Sequence, residues 1–535
     1  MAGLRGSRPS APATGLEVVS SRCSRRAAKS PGHARIRSRV TDTTTTRGPA
    51  PAEPAALPPP PWWRRLGVPD VLAVSAITLA LYAAFDGGVP TRDPWHTLLW
   101  GAQLAAGELP DYQTPFAPTP HPLLILLSAV LSPLGRAAEV VLLVLAMAGL
   151  GAIAVGLFRL GERLYAWPVG LLAAAIVLTR TTFLYYGARA GVDVLTLALI
   201  VWAAVLEARR PRRGAPVLVL LLLAGLLRPE AWLFAAAYWL WLAPGRGWRA
   251  RAGLAALAAA PPLLWALSDL VVTGDPLWSL HGTQSLASEL GRRTGLAALP
   301  ETTWDGLRSI LAQPGLLLVS AAGLAAGLAL FRRATALPVA ILLLDGLAFL
   351  GLAISGLPLN TRYLLPAGLV LALFAALAAL GWSALPRGRR RLVWTAAGIA
   401  ALLFVAAVSV PRQPEAVADL RDRLTATEAI NRDLAAILET AQVRRELAAC
   451  GPLVSPNVRL RPQFAFLTGR DEGSVAVVEL GPPPDRGVLV RTTRRGENRG
   501  RGGVRTPIPE SYRPFARSRS WVAYSGCDQA TGTAE

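Results

Sequence analysis

HPLLILLSAVLSPLG, His121 to Gly135, decides how the rest of the chain is oriented. It is apolar, but a helix crossing a bilayer needs about 20 such residues. Read as an interfacial or re-entrant helix, it leaves both of its ends on one side. Read as a crossing, it reverses every later segment. The basic clusters arbitrate, because Lys and Arg concentrate in cytoplasmic loops. With His121 to Gly135 kept on the outer side and the N-terminus inside, Phe158 to Arg163 (FRLGER), the EARRPRRG run to Gly214, Arg246 to Arg251, Phe331-Arg332-Arg333 and Arg387 to Arg391 all fall inside. The opposite reading exposes all of them, so the segment is expected not to cross.

Working outward, eleven spans are expected: about 70–86, 138–158, 168–187, 192–208, two short ones within 215–244, 252–272, 315–331, 335–355, 363–382 and 392–410. Three outer segments follow: a first loop at 87–137, a middle loop at 274–314 and a tail at 411–535. Residues 1–68 form a basic cytoplasmic tail, with no apolar period through residue 60 and a proline run at Pro58 to Pro61. The expected domains are therefore 1–68, a transmembrane domain at 69–410 and an extracytoplasmic domain at 411–535. The fold class is an all-α polytopic membrane protein with a small α+β C-terminal domain, in the plasma membrane.

Composition agrees. Of 535 residues, 52% are hydrophobic and 17% charged, against roughly 25% charged in soluble domains. Mean hydropathy is +0.39. The net charge of +21 resides in the inner clusters and the N-terminal tail. No basic stripe interleaves with aromatics, which argues against a nucleic-acid partner. In the tail, 415–449 has helical spacing (Leu420, Leu424, Ile430, Leu434, Ile437, Leu438), and SVAVVEL, GVLVRTT and WVAYSGC read as strands. The Arg-rich 494–505 reads as a solvated loop. Cys450 and Cys527 bracket this segment; an oxidising compartment would join them, and two separate thiols are the other reading.

Ionisable residues gather at the outer ends of the expected helices: Asp86, Arg92, Asp93, His96, Asp111, His121, Arg180, Arg189, Asp193, Arg228, Glu230, Asp269, Asp275, His281 and Arg362. Charges at membrane depth or at its mouth are costly and mark function. A transporter more often places them near the midplane, with internal repeats; neither feature is found.

The first loop, TRDPWHTLLWGAQLAAGELPDYQTPFAPTPHPLL, carries an acidic residue soon after the first span (Asp93). Ala102, Gly107 and Tyr112 follow, then a proline step through Pro118, Pro120 and Pro122. LLRPEAW (Leu226 to Trp232), TGDP (Thr273 to Pro276) and NTRYLLP (Asn360 to Pro366) come later. In this order the motifs resemble the membrane glycosyltransferases of the GT-C superfamily, which include protein O-mannosyltransferases, aminoarabinose transferases and actinobacterial envelope mannosyl- and arabinosyltransferases. The resemblance covers about 70–410. It implies an inverting hexosyl- or pentosyltransferase that takes its sugar from a polyprenyl-phosphate carrier. The acceptor would be a hydroxyl of an envelope glycan, glycolipid or protein.

The chemistry suggests roles. A carboxylate in a loop facing substrate can take the acceptor's proton, and Asp93 is the expected base; as the Asp of an Asp-Pro step it also suits a helix start. A leaving phosphate needs positive charge, expected from Arg228 and Arg362, although arginines at helix ends also snorkel to the interface. Glu230 would orient Arg228 or an acceptor hydroxyl. Asp193 would bind acceptor or brace Arg189. His96 and His121 would hydrogen-bond phosphate or sugar, and Tyr112 and Tyr363 join the substrate-binding set through their motifs. No cofactor is expected; a divalent metal shared by Asp93 and His96, three residues on, is the other reading, and the absence of a D-x-D pair weighs against it. Trp95 and Trp100 are the tryptophans that suit sugar stacking; most others read as an interfacial belt. The competing readings are a lipid-linked glycan ligase and a non-catalytic scaffold for the C-terminal domain.

Overall fold

In lipid the backbone must satisfy its own hydrogen bonds, so apolar runs fold as helices. A computed structural model describes residues 67–311, 314–409, 411–493 and 508–527. Nearly all of the basic N-terminal tail and the 494–505 loop lie outside them. The helices are α1 (Val68–Ala84), α2 (Arg92–Ala105), α3 (Pro122–Leu131), α4 (Ala137–Leu164), α5 (Trp167–Thr179), α6 (Thr181–Ala188), α7 (Val192–Arg209), α8 (Ala215–Leu227), α9 (Ala231–Leu242), α10 (Trp248–Thr273), α11 (Trp278–Glu289), α12 (Leu299–Leu311), α13 (Pro314–Leu330), α14 (Arg332–Ile354), α15 (Leu365–Leu380) and α16 (Arg389–Ser409). Every expected span is helical. Among the described residues five stretches are long and apolar enough to cross a membrane: α4, α10, α14, α16 and the run Thr361–Ala384 around α15. The bent pairs α5–α6 and α12–α13 raise the number to seven, and α1, α3, α8 and α9 are shorter apolar helices. The chain is a membrane protein.

The span expected at 168–187 is not one straight helix. It turns by 66° between α5 and α6, at Arg180, whose backbone is extended (φ −84, ψ 121). The reason is polar. Arg180 is buried, and a buried guanidinium requires acceptors. It donates to the Leu311 carbonyl (3.1 Å) and to Thr179 Oγ1 (3.3 Å).

The break sets up the region around α2. Val89 N–H donates to the Ala188 carbonyl (2.8 Å) and Thr91 N–H to the Arg189 carbonyl (3.2 Å), clipping the first loop to the α6–α7 turn. Gly88 permits this approach. Its φ is +79°, and a Cβ there would stand 2.4 Å from the Ala188 oxygen. On the other side α2 lies against α3, with Gly101 so close to Ser128 that a Cβ would fall 2.5 Å from its backbone. His121 to Gly135 thus forms α3 and a short 3₁₀ turn, Ser132–Leu134, packed as a hairpin with α2.

After α16 come α17 (Gln413–Glu439), α18 (Ala441–Cys450) and α19 (Arg461–Thr468), with strands β1 (Leu453–Ser455), β2 (Ala476–Val477), β3 (Val488–Thr492), β4 (Arg513–Arg517) and β5 (Trp521–Ser525). The expected helix at 415–449 is interrupted at Thr440, whose hydroxyl accepts from Val443 N–H (3.3 Å) and starts α18. Sheet order is β2-β1-β3-β5-β4, with β1 parallel to β2 and β3 and the remaining pairs antiparallel. SVAVVEL supplies only the two residues of β2 before a 3₁₀ turn. Cys450 and Cys527 are joined by a disulfide. This layer docks on the helical part through Trp95–Phe466 (ring centroids 5.1 Å) and the Arg136–Glu439 ion pair.

Candidate functional site

Asp93 occupies the first turn of α2, which follows the extended Thr91. There the helix dipole favours a negative charge. Its carboxylate is half-buried and lies 3.9 Å from both Arg92 and Arg362. Among the described residues nothing donates a hydrogen bond to it. Burial raises its pKa, but Arg92, Arg362, His96 and His121 together outweigh this and hold the carboxyl below its ordinary value. The group is a free carboxylate at neutral pH.

The Asp93 carboxylate faces a cavity of about 420 Å³ lined from five parts of the chain. Arg92 and Asp93 come from α2, Thr119 and His121 from the proline step, Tyr185 to Asp193 from the α6–α7 turn, and Arg292 and Asn360 to Arg362 from the later loops. Four arginines (92, 189, 292, 362) meet two aspartates (93, 193), so the lining is net cationic. The crowding acts on Arg292: burial, then repulsion from Arg362 and Arg92, lowers its pKa. Arg189 lies over the Tyr185 ring at 5.4 Å. Among the described residues no acceptor meets Arg189 Nε, Arg362 Nε or the buried His121 Nδ1. Buried donors are normally paired, so these three mark a place suited to an anion. His121 is neutral: burial, then Arg228, depresses its pKa to about 3 despite an opposing pull from Asp93.

Beneath this cavity a smaller one of about 40 Å³ is lined by Asp193, Arg228, Glu230, Asp345 and Arg362, among others. Arg228 forms a buried ion pair with Asp193. Asp193 therefore braces Arg228 and not Arg189. The Tyr363 ring is contacted by both guanidiniums, Arg228 at 5.3 Å and Arg362 at 5.2 Å. Asp345 accepts from Ala367 N–H at 3.1 Å. Asp345, Arg292, Tyr185 and Tyr186 escaped the sequence reading. Asp345 stood as a lone carboxylate in ILLLDGLAFL, and such a charge in an apolar run is a usable signal.

The structure sets other expected residues apart. His96 is buried on the far side of α2, with Nδ1 2.9 Å from Glu472 of the C-terminal domain. Tyr112 is buried against Trp100 and shares a hydrogen bond with Ser268 (3.2 Å). It lines a groove of about 280 Å³ that shares Pro118, Thr119, Thr283 and Leu286 with the Asp93 cavity. Trp95 and Trp100 are not available as sugar platforms. Both are buried, the first under Phe466, the second with its indole N–H on the Asp111 carbonyl (2.9 Å). His281 pairs with Asp275 at the surface (2.6 Å). Among the described residues no group of three or more His, Cys, Asp or Glu is placed to hold a metal ion.

No protein-family profile and no curated protein matches the chain. Among solved structures, the aminoarabinose transferase ArnT from Cupriavidus metallidurans, bound to undecaprenyl phosphate, aligns with a TM-score of 0.51 at 12% identity, over 86% of this chain and 98% of that one. The archaeal oligosaccharyltransferase AglB from Archaeoglobus fulgidus, in complex with an inhibitory peptide and a dolichol-phosphate, aligns at 0.43 and 14% identity, over 78% of this chain and 65% of that one. The chain shares the fold of that aminoarabinose transferase.

Proposed function

We propose that the chain is an inverting glycosyltransferase working at the outer face of the plasma membrane, with its N-terminus in the cytoplasm and residues 411–535 outside. The donor is a sugar on a polyprenyl phosphate, and the acceptor is a hydroxyl of an envelope glycan, glycolipid or protein. One observation carries this reading. An ionised carboxylate without a hydrogen-bonding partner, Asp93, shares a cavity with four arginines.

The acceptor oxygen attacks the anomeric carbon from the face opposite the phosphate. As that bond forms, the bond from the anomeric carbon to the phosphate oxygen breaks, and its electrons leave with the phosphate. The acceptor proton passes to Asp93, a contribution of about 10²–10⁴ in rate. Arg362 and Arg189 stabilise the departing phosphate, which needs charge and no proton. Arg228, held by Asp193, keeps Tyr363 and Arg362 in place from below. His121 is a neutral donor or acceptor toward sugar or phosphate. The residues thus supply a base for the acceptor and positive charge for the leaving phosphate.

Mass spectrometry of lipid-linked sugars and envelope glycans tests this, in a deletion strain carrying wild type or Asp93→Asn. The expected result is a shortened glycan and an accumulated polyprenyl-phosphate sugar that wild type corrects and Asp93→Asn does not, at equal membrane levels. Full rescue by Asp93→Asn removes the base, and a ligase or scaffold then accounts better for the fold.

A further inference from the structure

The Asp93 cavity continues sideways into a larger groove of about 970 Å³. Tyr185, Tyr186, Arg189 and Thr361 line both, so the two spaces share a wall. One side of the groove is α6 with Thr181 and Thr182; the other is α17, with Asp419, Asp422 and Thr427. That second side is fixed to the helical domain. Leu420 and Leu424 are buried in the same core as α4 and α15. Arg421 reaches Asp86 at 3.8 Å, and Thr425 Oγ1 donates to it at 3.3 Å. Both Asp419 and Asp422, one turn apart, are exposed along the groove; Arg423 donates to both oxygens of Asp419 (3.0 and 2.5 Å), while Asp422 has no partner among the described residues.

The lining has the chemistry of carbohydrate recognition. Tyr185 is 39% exposed and offers an aromatic surface to the C–H face of a sugar ring. Carboxylates accept from sugar hydroxyls, and threonine hydroxyls both donate and accept. Two arginines, Arg189 and Arg423, balance the two aspartates, so the groove lacks the net positive charge of the Asp93 cavity, where the donor phosphate belongs. We infer that the groove between α6 and α17 binds the acceptor, and that the acceptor is a hydroxyl-rich glycan chain whose terminal hydroxyl reaches Asp93 past Tyr185 and Thr361. This rests on the transferase reading and narrows its acceptor to a glycan.

Glycan binding tests the groove separately from turnover. Full-length protein in lipid nanodiscs is titrated with fluorescently labelled linear manno- and arabino-oligosaccharides. Wild type is expected to bind at least one series. Tyr185→Ala and Asp422→Asn are each expected to weaken it by about tenfold, the loss of one good contact. Glu207→Gln, at the other end of α7, keeps wild-type binding. Asp422 is exposed, so its substitution carries little folding cost. Failure of both series to bind, or wild-type affinity in both groove variants, overturns the inference. Neither result bears on Asp93, whose assignment stands or falls with the strain complementation.

Discussion

The two ends of α7 set a buried, partnered acid in different surroundings. Near its C-terminus Glu207 accepts from Tyr238 Oη (2.6 Å), Trp241 Nε1 (3.2 Å), Arg212 N–H (2.7 Å) and Arg213 N–H (3.4 Å). Its acceptor capacity is taken up in closing the loop after α7 and tying it to α9. About 20 Å away along the helix, Asp193 is tied to Arg228, while its neighbour across the cavity, Asp93, has cations 3.9 Å away on two sides and no hydrogen bond among the described residues. A satisfied carboxylate holds a fold together. One that is ionised, partly accessible and unsatisfied is available to take a proton.

The sharpest way to break this contrast is to neutralise each acid in turn. Asp93→Asn should lower transfer by about 10²–10⁴-fold with only a small drop in melting temperature, since the cations that hold its pKa down make the charge favour the fold, read by product formation and thermal unfolding of the purified protein. Removing Arg228 alone, as Arg228→Met, leaves Asp193 charged and buried and should cost about 3–5 kcal/mol of stability. Adding Asp193→Asn should restore most of it, which a double-mutant cycle measures. Reducing Cys450–Cys527, or replacing both with Ser, should cost the C-terminal domain about 2–5 kcal/mol, read as earlier proteolysis of residues 411–535. Glu207→Gln should lose about 1–3 kcal/mol and leave transfer unchanged; if transfer falls as far as in Asp93→Asn, the two ends are not distinct.

The smallest effect is in the pH profile. Because Asp93 is held below its ordinary value, the base is present above that depressed pKa and is lost as pH falls through it. Transfer should therefore be flat from neutral pH down to about 4, near the ordinary Asp value, before it drops. His121, at about 3, should add no inflection near the usual His value of about 6.5. An inflection there would show that His121 titrates in the working enzyme.

Apolar runs and basic clusters made the helical framework legible, because lipid imposes both patterns. The bend at Arg180 was not, since it depends on a carbonyl at Leu311, 131 positions away. β1 is three buried residues, too short to carry a period, and β4 begins Arg513-Pro514 on the sheet edge with a register shift, which masks it as a strand. In the site, Asp93, His121, Arg189, Asp193 and Arg362 do converge from distant segments. His96 was misjudged for a definite reason. Spacing of three placed it near Asp93 on α2, but that side of the helix is covered by Glu472, and the docking of a later domain leaves no local trace in the sequence.

The most direct measurement is undecaprenyl phosphate binding to the purified protein by native mass spectrometry. The account predicts one bound lipid per chain, lost when Arg189 and Arg362 are both replaced by Ala and retained in Asp93→Asn, because the carboxylate that this substitution removes opposes the phosphate. Binding that survives removal of both arginines, or disappears in Asp93→Asn alone, would contradict it.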